Sequence, residues 1–141
     1  MLTLEERIRI DAPQERVFEL IDDLDEWPRW NAGIASMELN GGFAPGERGT
    51  LTTNRGMRVC IRCRAYDDPR YIALDERRAL YVIERTMTLQ PEGEATWVNL
   101  QLRYRGPNGL IGGLIGHSTT KQQMAVSLRA LKRLTEALPV A

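Results

Sequence analysis

Residues 34–106 alternate between strand-favouring segments and turn-forming residues, and this feature restricts the fold more than any other. Six segments favour strands, at 34–40, 47–54, 57–66, 70–76, 79–90 and 94–105. The separators are rich in the residues that turns prefer: Asn40-Gly41-Gly42, Pro45-Gly46, Asn54-Arg55-Gly56, Asp67-Asp68-Pro69 and Pro91-Glu92-Gly93. Because strands that follow one another through short turns pair antiparallel, we expect one antiparallel sheet.

A further strand and two helical segments precede this region. Residues 2–11 alternate with a period of two and predict the first strand, although Glu6 interrupts its apolar face. Asp11-Ala12-Pro13 predicts the start of a helix, because Pro in the first helical turn loses no hydrogen bond. Residues 24–30 predict a second, shorter helix.

The C-terminal segment predicts one long helix that follows Gly106-Pro107-Asn108-Gly109 and runs to about Leu138. Its first turns, residues 109–116, contain four glycines among eight residues. A mid-helix glycine costs roughly 1 kcal/mol relative to alanine, so this end should fray or bend, and it is a candidate gate for an apolar ligand. Seven strands bracketed by helices predict the α+β class with a seven-stranded antiparallel sheet.

Length and charge exclude several classes of protein. A chain of 141 residues suits a single domain spanning residues 1–141. The 19 basic and 19 acidic side chains balance, which argues against nucleic acid as a partner, since such binders normally carry a basic excess. No apolar run approaches the ~18 residues of a membrane span, and the opening residues lack a secretory signal pattern. We therefore expect a cytoplasmic protein that does not span a membrane.

The two cysteines, Cys60 and Cys63, formally make a C-x-x-C motif. They lie in a segment that alternates with a period of two, and residues three apart on a strand point to opposite faces. Cys63 joins the apolar set with Val59 and Ile61, whereas Cys60 joins Arg58. The motif therefore predicts a strand rather than a redox or zinc site, and we expect no metal and no cofactor.

Short motifs extend along the whole chain. Near the N-terminus, residues 10–23 read IDAPQERVFELIDD and residues 27–31 read WPRWN. Gly46 and Gly49 precede a strand, residues 89–96 read LQPEGEAT, and residues 128–136 read LRALKRLTE. Together these motifs resemble the polyketide cyclase/dehydrase and lipid-transport group of the START-like, or Bet v 1-like, superfamily.

The resemblance implies a helix-grip fold, in which a curved antiparallel sheet wraps a long C-terminal helix and leaves a cavity between them. Members of the group bind lipids, sterols, polyketides or aromatic molecules, and some catalyse cyclisation or aromatisation. The group shares no single set of catalytic residues, so the resemblance alone does not assign a reaction.

Polar side chains interrupt the faces that are expected to turn inward. They include Glu6 on the first strand, Arg85 on a central strand, and His117 with Lys121 on the C-terminal helix. An inward charge costs several kcal/mol unless it is paired or hydrated, so Glu6 and Arg85 should each meet a partner, water or a polar ligand. Because the first strand borders the last in this fold, Glu6, Arg85 and Tyr104 are expected within reach of one another. One interpretation is structural: Glu6 and Arg85 form a buried pair, or they lie near strand ends and reach water. The other is a site where Arg85 and Tyr104 orient a ligand carbonyl or enolate.

Three further features each have a functional and a structural interpretation. His117, the only histidine, is the natural general acid or base, or it lies exposed at a mobile helix end. Lys121 binds an acidic head group or is simply solvated. Trp27 and Trp30 line the opening of the cavity, or they anchor the short helices on the sheet.

The primary prediction is a binder or carrier of a small hydrophobic molecule, as a monomer or homodimer. The residues expected to line its cavity are inward-facing positions of the strands and helices: Trp30, Val59, Ile61, Tyr81, Ile83, Arg85, Met87, Val98, Leu100, Tyr104, Leu114, His117, Lys121 and Met124.

Two alternatives remain open. One is a cofactor-free cyclase or aromatase in which Arg85 and Tyr104 polarise a carbonyl while His117 or Glu6 moves a proton. The other is a protein-interaction module that uses the arginine-rich outer face of the sheet: Arg58, Arg62, Arg64, Arg103 and Arg105.

Overall fold

A computed structural model describes residues 2–114 and 116–137 and contains a seven-stranded sheet. Its strands are β1 (Leu2–Ile10), β2 (Ile34–Leu39), β3 (Arg48–Thr53), β4 (Arg58–Asp67), β5 (Tyr71–Arg77), β6 (Val82–Glu92) and β7 (Ala95–Arg105). The order across the sheet is β1-β7-β6-β5-β4-β3-β2, and every neighbouring pair is antiparallel. The predicted α+β class and the seven strands are confirmed.

The helices are α1 (Gln14–Asp22), α2 (Trp27–Trp30), α3 (Gly109–Leu114) and α4 (His117–Ala137), with a 3₁₀ turn at Leu24–Glu26. The predicted long C-terminal helix is confirmed as α4, but it begins later than predicted, because the glycine-rich start forms the separate helix α3. Gly116 has a φ of +75°, in the left-handed region that glycine adopts readily and that ends many helices. Leu138, the predicted C-terminal end of the helix, lies outside the described residues.

Helix α4 packs against β1 and α2 and supplies one wall of the core. Its buried side chains recur at helical spacing and include Met124, Leu128 and Leu131. They meet the inner face of the sheet, where residues such as Leu74 and Leu100 are also buried. This is the helix-grip arrangement that the sequence resemblance implies. No helix among the described residues is long and apolar enough to cross a membrane.

An aromatic cluster fills one end of the grip. Phe18, Trp27, Trp30, Phe43 and Tyr66 form a chain of ring contacts with centroid separations between 4.6 and 6.2 Å. The Trp27 indole Nε1 donates to the Ile21 carbonyl oxygen at 2.7 Å, which ties α2 to the end of α1. Such packing makes this end of the grip a continuous hydrophobic core.

The pairing of β2 with β3 requires a glycine at position 49. A Cβ added to Gly49 would lie 1.8 Å from the Glu38 carbonyl oxygen on β2, so no larger residue fits without moving the strand. This close approach gives a structural reason for the glycine in the motif that precedes β3.

The two cysteines lie on opposite faces of β4, as the alternation predicts. Cys63 is buried in the core and Cys60 is exposed on the outer face.

Candidate ligand-binding site

A cavity of about 300 Å³ lies between α4 and the inner face of the sheet. Its apolar lining comes from strands and helix alike: Ile34, Leu51, Leu100, Leu102 and Met124. Its polar lining consists of ten residues: Asn31, Thr53, Asn54, Arg55, Glu76, Arg78, Arg85, Thr120, Gln123 and Ser127.

Glu76 and two arginines make the charged part of this lining. Glu76 ends the inner face of β5 and is 0% exposed. Its Oε2 accepts a hydrogen bond from Arg85 Nε at 2.5 Å, and its Oε1 accepts one from Arg78 Nη2 at 3.2 Å. The register places Glu76 opposite Ile83 and Arg85 opposite Leu74, so the Glu76–Arg85 pair is a diagonal contact between β5 and β6.

The carboxyl group of Glu76 is ionised despite its burial. Desolvation is the largest single effect and favours the neutral acid, but the charges and hydrogen bonds of Arg85 and Arg78 together outweigh it. They lower the pKa of Glu76 below its ordinary value of 4.5. Two guanidinium groups against one carboxylate leave a net positive charge beside the cavity.

The two arginines keep hydrogen-bonding capacity that the protein does not use. Arg78 Nε is buried and has no hydrogen-bond partner among the described residues. Arg85 makes its hydrogen bond to Glu76 through Nε, and its Nη atoms form none with the part of the chain that the structure describes. A buried donor without an acceptor costs about 1–3 kcal/mol, so an oxygen atom placed in the cavity would be stabilised there.

Tyr104 belongs to the same electrostatic environment. Its hydroxyl group is influenced by Thr120, which lines the cavity from α4. Burial is the main cause that raises the pKa of Tyr104, with smaller opposing contributions from Thr120 and from the charge of Arg85. Tyr104 is therefore a neutral phenol in the protein interior.

The loop before β2 closes one side of the cavity through hydrogen bonds to two other elements. Ala32 N donates to Ser127 Oγ on α4 at 2.9 Å, and Asn54 Nδ2 in the β3–β4 hairpin donates to the Ala32 carbonyl oxygen at 2.6 Å. Asn31 is buried and its Oδ1 accepts from Gly33 N at 3.2 Å. The exposed residues of that hairpin, with Gln123 on α4, lie where the cavity meets solvent.

Three of the predicted ligand-binding residues line this cavity, namely Arg85, Leu100 and Met124. The others lie elsewhere: Trp30, Val59, Ile61, Ile83, Met87, Val98 and Tyr104 are buried, and Tyr81, His117 and Lys121 are partly exposed. Leu114 is 57% exposed on α3. The packing of Trp27 against Trp30 agrees with the anchoring interpretation of the two tryptophans.

The expected grouping of Glu6 with Arg85 and Tyr104 needs correction for Glu6. Glu6 forms an ion pair with Lys121, with Nζ and Oε1 3.5 Å apart, while Arg85 is paired with Glu76. The reason is the strand order, because β7 lies between Glu6 on β1 and Arg85 on β6. Arg85 is one strand away from Glu76, which lies on the neighbouring strand β5. Arg85 and Tyr104 do share an environment, since the charge of Arg85 acts on the Tyr104 hydroxyl.

Glu76 is the central residue that the sequence interpretation missed. A signal was present, because Ile72, Leu74 and Glu76 alternate along one face of β5. The apolar Ala73 between them, which is also buried, hides that alternation in the sequence.

A second glutamate holds arginines on the opposite face of the sheet. Glu84 on β6 accepts from Arg105 Nε at 2.8 Å, and Arg64 Nη1 lies 3.2 Å from the same Oε2. Arg103 Nε lies 3.9 Å from Glu84 Oε1. The predicted arginine-rich outer face is thus partly neutralised by a glutamate at its centre.

The arrangement of a sheet, a gripped helix and a cavity between them matches a known family. The family model for polyketide cyclase/dehydrase and lipid transport matches residues 1–136. The chain belongs to this family. The resemblance found in the sequence motifs is confirmed, whereas no curated protein sequence matches the chain.

Solved structures share the fold of this polyketide cyclase family member at low sequence identity. MLL2253 from Mesorhizobium loti is 14% identical with a TM-score of 0.83, covering 99% of this chain and 100% of that one. TTHA0849 from Thermus thermophilus is 23% identical with a TM-score of 0.74, covering 96% and 98%. DynU16, described as a putative protein in the dynemicin biosynthetic locus, is 16% identical with a TM-score of 0.75, covering 96% of this chain and 47% of that chain. At these identities the likeness concerns the fold.

Proposed function

We propose that this protein binds or carries a small, largely apolar molecule whose polar end bears a carbonyl or carboxylate oxygen. The observation that carries the proposal is the cavity between sheet and α4, with the partly uncommitted guanidinium groups of Arg78 and Arg85 in its lining. Ligand sites of this kind are mainly apolar and contain a few polar groups that fix orientation. The polar end of the ligand would face the two arginines, and its apolar part would lie against residues such as Leu100 and Met124.

Charge selects an acceptor rather than a donor at the polar end. The cavity lining contains Arg55, Arg78 and Arg85 against a single carboxylate, that of Glu76. Glu76 already accepts hydrogen bonds from both neighbouring arginines, so a ligand donor would compete with them. A ligand oxygen meets unused donors instead, and it gains a charge-assisted hydrogen bond.

Size limits the ligand as well. A volume of about 300 Å³ is at the lower end of small-molecule sites. It suits a compact aromatic or short aliphatic acid better than a long-chain lipid.

The test is a fluorescence titration with 8-anilinonaphthalene-1-sulfonate, an apolar aromatic probe that carries one anionic group. Met124→Trp fills the cavity from α4, and Val126→Trp is its matched control, because Val126 is an exposed residue of the same helix. We expect at least about a tenfold loss of affinity in Met124→Trp and little change in Val126→Trp. Equal affinity for both variants would contradict binding in this cavity.

A second pair of variants examines the polar end of the site. Arg85→Lys keeps a charge beside Glu76 but removes the planar fork, and Arg105→Lys makes the same change beside Glu84. The probe should bind about three- to tenfold more weakly to Arg85→Lys, whereas Arg105→Lys should bind it like the wild type. If the two variants behave alike, the arginine beside Glu76 does not orient the ligand.

Cyclase activity is a second candidate, and the observation that favours it is the diagonal placement of Tyr104 on β7 and Arg85 on β6, whose charge acts on the Tyr104 hydroxyl group. These groups could polarise a ligand carbonyl. The ionised Glu76 is a poor proton donor at neutral pH, and its two ion pairs make it a weak base. Turnover of a poly-β-ketone substrate that falls in Tyr104→Phe while probe binding is unchanged would favour the cyclase over the carrier.

A further inference from the structure

The outer face of the sheet carries a second concavity, of about 380 Å³, on the side away from the proposed ligand cavity. Its lining includes four arginines, one carboxylate and an exposed thiol: Arg48, Arg62, Arg77, Arg105, Asp75 and Cys60. This concavity lies on the opposite face of the sheet, so binding here does not depend on the proposed carrier function.

The strand register brings these arginines together. Arg62 on β4 lies directly opposite Arg48 on β3, and Arg77 on β5 lies directly opposite Cys60 on β4. Like charges directly across a strand pair destabilise a sheet. The three arginines therefore form a concentrated positive charge on adjacent strands.

Asp75, directly opposite Arg62, is the single carboxylate in the lining of the concavity, so that positive charge is only partly neutralised. Glu84 binds Arg64 and Arg105, while the side chains of Arg48, Arg62 and Arg77 form no ion pair or hydrogen bond with described residues. The chain has as many acidic as basic side chains, so the imbalance here is local.

Asp75 supplies a hydrogen-bond acceptor in the same concavity. Its Oδ1 is buried without a hydrogen-bond partner among the described residues, and the nearest cation is Arg64 Nη1 at 3.8 Å. The Asp75 side chain is 20% exposed, so its carboxylate also has an oxygen that a hydroxyl group of a bound molecule can reach.

We propose that this concavity binds a small phosphate ester that also carries hydroxyl groups, such as a sugar phosphate. Guanidinium forks match phosphate oxygens bidentately, and Arg48, Arg62 and Arg77 have their forks uncommitted. The exposed part of the Asp75 carboxylate accepts from a hydroxyl group of the ester. The volume lies within the range of small-molecule sites, and a concave surface fits a small ligand better than a flat bilayer.

The thiol of Cys60 reports on occupancy without any label. Cys60 is exposed within the concavity, whereas Cys63 is buried on the other face. The neutral reagent iodoacetamide should therefore alkylate the native protein at Cys60. The rate is measured against glucose 6-phosphate, inorganic phosphate and sodium chloride at one fixed ionic strength. We expect glucose 6-phosphate to slow the reaction at lower concentrations than inorganic phosphate, and sodium chloride to have no comparable effect.

Single variants locate the effect. Arg62→Gln and Arg77→Gln should each raise the glucose 6-phosphate concentration needed for half-protection by about tenfold, the size of one charge-assisted contact. Arg133→Gln, at an exposed position of α4, should leave it unchanged. Asp75→Asn should abolish the preference for glucose 6-phosphate over inorganic phosphate, and the melting temperature of each variant shows whether it is folded.

Three results would overturn the proposal. Protection by either phosphate that sodium chloride reproduces at equal ionic strength would show general screening. Protection that survives in both arginine variants would place the phosphate elsewhere. Protection by a polyglutamate peptide in the absence of any protection by glucose 6-phosphate would make this face a docking surface for an acidic protein.

Discussion

Two glutamates on neighbouring strands hold arginines on opposite faces of the sheet, and the two groups differ in how exposed their arginines are. Glu76 on β5 pairs with Arg78 and Arg85, whose side chains are 23% and 13% exposed. Glu84 on β6 pairs with arginines whose side chains are 37–48% exposed. We refer to Glu76 with Arg78 and Arg85 as the inner centre, and to Glu84 with its three arginines as the outer centre. The arginines of the inner centre are the less exposed. The ion pairs of the inner centre are therefore less screened by solvent than those of the outer centre.

The largest effect is expected from Glu76→Gln. Removal of the carboxylate leaves Arg85 and Arg78 buried without a counter-charge, and breaking a buried ion pair in this way costs about 3–5 kcal/mol. The free energy of unfolding from urea denaturation should fall by that amount. A loss below about 1 kcal/mol would mean that water solvates the inner centre as it does the outer one.

The same carboxyl group makes stability depend on pH. Burial favours the neutral acid, but Arg85 and Arg78 prevail and lower the pKa of Glu76 in the folded protein below 4.5. A lowered folded-state pKa stabilises the fold above the unfolded value and loses that contribution as the pH falls through the folded value. The difference in unfolding free energy between wild type and Glu76→Gln should therefore shrink between pH 7 and pH 3. A difference that is constant over this range would contradict an ionised Glu76.

A smaller effect is expected when one arginine is removed from each centre. Arg85→Gln leaves buried Glu76 with Arg78 alone and should cost about 2 kcal/mol, within the range for hydrogen bonds to charged groups. Arg105→Gln leaves Glu84 with Arg64 and Arg103 and should cost less than about 1 kcal/mol. Urea denaturation of the two variants side by side measures the contrast, and equal losses would remove the distinction between the faces.

The smallest effect is expected for the ion pair between Lys121 and Glu6. Its side chains are 40% and 31% exposed, so Lys121→Gln should change the unfolding free energy by no more than about 0.5 kcal/mol. Probe binding should also be unchanged, because neither residue is in the lining of the cavity. A clear loss of binding would extend the site towards β1.

How much could be predicted differs between fold and site. The strands could be predicted because the alternation of apolar residues and the turn residues agree at almost every boundary. The faces on which Cys60 and Cys63 lie follow from the period of two. Arg85 was found because one charge interrupts an otherwise apolar face. The break at Gly116 was anticipated only as a weak helix end.

The partner of Arg85 could not be found in this way, because a diagonal contact depends on register between strands. Glu76 lies at the end of a strand whose middle is apolar on both faces, so its direction was ambiguous in the sequence. The cavity itself is a volume left between α4 and the sheet, and hydrophobic patterning does not determine such a volume.

The most direct test of the account is native mass spectrometry of freshly purified, undialysed protein, followed by release and mass analysis of any bound molecule. The account predicts that wild type and Val126→Trp carry a small organic molecule with an acidic or carbonyl group, and that folded Met124→Trp does not. A molecule retained equally by Met124→Trp, or one without an acceptor oxygen, would contradict binding against the arginines of the inner centre.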